Sequence, residues 1–153
     1  MFVRVQAHEM KPLMNCVAVA NLVSGAPVKY EAPKHLNYAN ANSDYIVVAA
    51  ENFNGLNAVI EPTDAYFDKI KEGDLCLRFP FEVGDVIATT EVEAPESGEL
   101  VGIGMHVENG KFVEGFDGDN PEYVCLGIYD NPWGLEMYKI ERVSVNRGRS
   151  IET

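Results

Sequence analysis

Cys16, Cys76 and Cys125 are the residues best suited by type to nucleophilic or metal chemistry, and their spacing suits neither. They stand far apart in no CxxC arrangement, and His8, His35 and His106 show no ligand spacing to them, so no zinc site is expected. Their settings, "NCVAVA", "LCLRF" and "YVCLGIY", alternate and are apolar. That pattern predicts buried free thiols kept in a reducing compartment.

Carboxylates are plentiful but poorly placed for proton transfer. Glu91, Glu93 and Glu96 lie in "EVEAPESGE", an alternating strand end and turn, where an acid–base dyad is not expected. Asp117, Asp119 and Glu122 in "DGDNPE" offer oxygens to a hard cation, but they lack the EF-hand order of acids, glycine and closing glutamate. A solvated acidic turn is expected there. Ser24, Ser43, Ser97, Ser144 and Ser150 lack a GxSxG setting. "GIGMHV" holds Gly102 and Gly104 but opens no helix, so it is no phosphate loop, and His106 within it reads as a surface or satisfied strand residue rather than a base. Trp133, in "YDNPWGLEMY", reads either as a plug at a barrel end or as an interface anchor. The sequence therefore assigns no catalytic residue, no cofactor and no metal ligand.

The charge is uneven. The 153 residues carry a net charge of −12, with 46% hydrophobic and 24% charged residues. Residues 51–130 hold four basic residues against eighteen acids, whereas each end is close to neutral. Such a chain repels nucleic acid, and it gains nothing from an anionic lipid surface. "MFVRVQAHEMK" predicts no signal peptide, and no run approaches a membrane span. A single β-rich domain over residues 1–153 is expected.

The elements that must position these residues are strands. Short runs rich in Val, Ile, Tyr, Phe and Thr recur along the chain, punctuated by Gly, Pro, Asn and Asp. They include "FVRVQ" (2–6), "CVAVANLV" (16–23), "YIVVAA" (45–50), "LCLRF" (75–79), "VIATTEV" (86–92), "LVGIGMHV" (100–107), "YVCLGIY" (123–129) and "EMYKIERVSV" (136–145). Asn109-Gly110 predicts a type I′ hairpin turn, and Asn54-Gly55 a second turn. "PTDAYFDKIKEG" predicts one short helix over about 63–72, capped by Thr63 and stopped by Gly73, with a strand as the alternative reading of the same segment. "HLNYANANSD" (35–44) reads as an extended loop, so residues 1–44 are expected to include an arm. Residues 146–153 read as a flexible tail. The fold class is all-β, a mainly antiparallel barrel or sandwich built from hairpins, with that helix and arm attached.

One pattern occurs twice. "GDLCLRFPFEVGDVIATT" (73–90) and "GELVGIGMHVENGKFVEG" (98–115) share a glycine, an acid, Leu, an apolar run and a second glycine followed by returning apolar residues. Each unit is read as a β-hairpin, and the two in tandem as a four-stranded meander.

The second unit together with the next apolar run, "SGELVGIGMHVENGKFVEG…YVCLGIYDN", resembles the head decoration, or cement, proteins of tailed bacteriophages. The match lies in Gly98-Glu99-Leu100-Val101, Asn109-Gly110-Lys111 and Leu126-Gly127-Ile128, over about residues 73–130. The resemblance implies a small β domain without catalytic residues that binds the major capsid protein on the outer surface of the shell. It further implies a homo-oligomer, with a trimer favoured, in the virion after synthesis in host cytoplasm. If so, the near-neutral ends make the contacts, because buried unpaired carboxylates are costly. The expected contact residues are Trp133, Tyr138, Arg142, Arg147 and Arg149. The competing readings are a tail, neck or connector component, and a small β-barrel enzyme or ligand-binding protein.

Overall fold

The structure is a computed structural model and describes residues 2–7, 13–49, 69–93, 101–116, 120–132 and 134–145. Among them run thirteen strands and no helix. The first six are β1 (Phe2–Gln6), β2 (Met14–Ala18), β3 (Leu22–Val23), β4 (Pro27–Ala32), β5 (His35–Tyr38) and β6 (Tyr45–Ala49). The others are β7 (Lys69–Ile70), β8 (Leu75–Pro80), β9 (Val86–Thr89), β10 (Val101–Glu108), β11 (Lys111–Glu114), β12 (Tyr123–Ile128) and β13 (Tyr138–Arg142). The fold is all-β, as the recurring branched and aromatic runs require.

Two sheets carry it. Five strands close a barrel in the order β2-β5-β4-β6-β8, and six form a sheet in the order β1-β9-β13-β12-β10-β11. Every pair is antiparallel except β2 with β5, which run parallel over Val17–Ala18 only. A ribbon of β3 and β7 adds Leu22 and Ile70 to the barrel core.

The wall β6–β8 explains why "YIVVA" is almost unbroken in apolarity. Its alternate residues serve two cores: Val47 and Ala49 fill the barrel with Cys16, Val28, Leu36 and Cys76. Ile46 and Val48 instead join Phe79, Ile87, Met105, Phe112, Tyr123 and Ile140 between barrel and sheet. A strand covered on both faces cannot alternate with polar residues. Each fully buried aliphatic side chain contributes roughly 1.5–3 kcal/mol by leaving water.

The Asn109-Gly110 turn forms as expected. Glu108 pairs with Lys111 across two residues at φ +49° and +75°, the left-handed values that a type I′ turn needs.

Several expectations are corrected. Lys69–Ile70, in the segment expected to be helical, is strand, because Leu22–Val23 offers it a ladder and Ile70 a buried place. Residues 63–68 lie outside the described residues, as do Asn54-Gly55 and the tail 146–153. The 73–90 unit is no hairpin. β8 pairs with β2 and β6 while β9 pairs with β1 and β13, so the Glu82–Asp85 turn crosses from barrel to sheet. The 98–115 unit does supply a hairpin, β10–β11. From residue 13 onward the expected arm is instead built into the barrel, because β2, β4 and β5 supply three of its five staves.

Candidate functional site

Residues 39–44, between β5 and β6, form a strap that binds the barrel to the six-stranded sheet. The Gly110 N–H donates to the Ala39 carbonyl at 2.8 Å, and the Val107 N–H to Asn42 Oδ1 at 2.9 Å. Asn42 Nδ2 donates to Glu122 Oε2 at 2.8 Å, and the Ser43 N–H to the Tyr123 hydroxyl at 2.9 Å. The Tyr123 hydroxyl in turn donates to the Ser43 carbonyl. Polar asparagines without an apolar period are what such a strap needs, since its side chains satisfy backbone groups of another sheet.

Arg142 closes this junction from the end of β13. Its Nε donates to the Ser144 carbonyl (3.0 Å) and its Nη1 to the carbonyls of Ser43 (3.1 Å) and Phe81 (2.9 Å). Its Nη2 reaches Asp44 Oδ1 at 2.9 Å and Glu122 Oε1 at 3.1 Å, and the guanidinium carbon sits 5.1 Å from the Tyr123 ring centroid. A buried cation is tolerable only with its donors met, and this planar fork meets five acceptors.

Beside the junction an open cleft of 690 Å³ is lined by Asp44, Tyr45, Arg78, Pro80, Phe81, Glu82, Val83 and Val145. Arg78 lies over Tyr45 at 4.9 Å, and its Nη1 donates to the Tyr30 hydroxyl at 3.0 Å. Tyr30 packs edge-on to Tyr45 at 5.2 Å. The cleft can hold a mixed segment, with a planar or carboxylate group against the guanidinium and apolar groups against Pro80, Phe81 and Val83.

The thiols occupy quiet surroundings. Cys16, Cys76 and Cys125 are free and buried, as expected. Burial raises all three pKa values, that of Cys76 to about 12, which keeps them protonated and poorly nucleophilic at neutral pH. His106 is a satisfied strand residue: Nδ1 lies 2.7 Å from the Gly115 carbonyl and Nε2 3.2 Å from Glu108. Among the described residues no group of three or more His, Cys, Asp or Glu side chains could hold a metal ion.

The expected contact residues divide. Trp133, Arg147 and Arg149 lie outside the described residues, as do His8, Glu96, Asp117 and Asp119. Tyr138 and Arg142 are buried, at 5% and 1% exposure, which corrects their reading as surface contacts. Alternation carried that signal, because Tyr138, Ile140 and Arg142 share one face of β13 and all point inward. Glu122, expected in a solvated turn, is also buried, held there by Arg142 and Asn42. Among the described residues the most exposed large apolar side chains are instead Val101 (72%) and Ile128 (55%). Both stand at one end of the β10–β12 pair, where a Cβ on Gly127 would lie 3.5 Å from Val101 Cγ2.

No family model matches the chain, and no curated protein matches it.

Proposed function

We propose that this protein is a virion structural protein that decorates and stabilises the outer surface of a tailed-bacteriophage capsid. The observation that carries the reading is the stretch 98–130. Its order of motifs resembles head decoration proteins, and its Asn109-Gly110-Lys111 turn adopts the tight hairpin form that the pattern calls for. The exposed apolar pair Val101 and Ile128 belongs to the same stretch and supplies a contact surface. The partner is the major capsid protein, and the chain binds it as a homo-oligomer, a trimer being favoured. Trp133, Arg147 and Arg149 are proposed to add contacts.

The test is binding of purified protein to capsids that lack it, with copies per shell counted by quantitative gel or mass measurement. Saturable occupancy, reduced roughly tenfold or more by Val101→Glu with Ile128→Glu, supports the reading. Absence of saturable binding overturns it.

The cleft beside Arg78 favours a second reading, a small ligand-binding protein. A carboxylate-bearing aromatic compound that raises Tm in wild type, and leaves Arg78→Ala unmoved, would favour it.

A further inference from the structure

We infer that Cys16 and Cys76 form a latent cross-strand disulfide site that staples the closing seam of the barrel. The inference is independent of the capsid reading.

The register pairs Cys16 directly with Cys76 where β2 meets β8, and both side chains belong to the barrel core. The Ala18 N–H donates to the Asp74 carbonyl at 3.0 Å, and alternate residues of β2 repeat that role, so Cys16 and Cys76 form a hydrogen-bonded pair. Such pairs hold their Cα atoms about 5.5 Å apart, within the span a disulfide accepts. Directly opposite pairs of this kind generally hold their Cβ atoms slightly wider than a relaxed disulfide prefers, so a bond here would carry some strain and be reducible. Cys125 lies in the other core, away from both.

Access comes from β2 itself. Its ladder to β5 spans only Val17–Ala18, and Met14 and Asn15 are exposed. A strand so thinly paired on one side opens locally at less cost than the whole fold. Closure forms one S–S bond and releases one proton from each thiol. The two electrons pass through a mixed disulfide to a low-molecular-weight disulfide, which leaves as two thiols.

The experiment exposes the folded protein to oxidised glutathione, in buffer and in urea below the unfolding transition. Thiols are then counted after denaturation, and the linked peptides mapped. The expected result is loss of two thiols of three, a Cys16–Cys76 peptide, and retention of Cys125. Closure should be faster in urea, reverse with excess reduced glutathione, and raise Tm by roughly 5 °C. Cys125→Ala should behave as wild type, and Cys16→Ala should lose the linked peptide. Three titratable thiols after prolonged exposure in both solvents, or linkage through Cys125, would overturn the assignment.

Discussion

Arg142 and Glu122 face each other at 3.1 Å with 1% and 4% of their side chains exposed. This ion pair sits where the strap, the turn leaving β8 and the end of β13 converge. Its net contribution is small, because desolvating both charges offsets their attraction, but removing one partner strands the other. Arg142→Met should cost about 3–5 kcal/mol in urea unfolding, and Glu122→Gln in that background should restore part of the loss. Asp44→Asn should cost at most about 1 kcal/mol, since Asp44 is half exposed. A loss under about 1 kcal/mol for Arg142→Met would show that the junction does not depend on its cation.

Gly110 meets two demands at once. Its φ is +75°, and an added Cβ would lie 2.1 Å from Tyr38 Cδ1. Gly110→Ala should therefore destabilise by roughly 2–4 kcal/mol through backbone strain and overpacking together. Gly73 also has a positive φ but open space around its Cβ position, so Gly73→Ala should lose only about 1 kcal/mol. Equal losses at the two sites, by thermal or urea unfolding, would refute the close approach of the turn to Tyr38.

Tyr138 gives an alkaline signature. Its hydroxyl donates to Glu136 Oε1 at 2.5 Å, and that bond, with burial second, pushes its pKa up to about 12. An unfolded tyrosine releases its proton near about 10. The contribution is therefore whole below about pH 10 and is lost as pH rises from there towards about 12. Glu136→Gln should make that decline shallower, read from urea midpoints across the range. An unchanged decline would mean that another group governs it.

How much of the molecule is legible in its sequence depends on the range of each interaction. The Asn109-Gly110 turn is decided by two adjacent residues, and the strand runs by their own β-branched and aromatic content, so both are read directly. The strap could not, because Asn42 satisfies Val107 and Glu122, 65 and 80 residues away. The 73–90 unit looks like the 98–115 hairpin locally. Only its partners, β1 and β13 on one side and β2 and β6 on the other, separate its two strands. Arg142 is expected among the contact residues because it lies in a near-neutral end of the chain, although the period of β13 places it on the face of Ile140.

The proposed attachment to a shell is decided by a cryo-electron reconstruction of capsids incubated with and without the protein. Bound protein should appear as additional density on the outer surface, in symmetric copies, shaped as a barrel beside a six-stranded sheet. Val101 and Ile128 should lie at the contact. Identical maps with and without the protein, or density confined to a tail or neck, would contradict it.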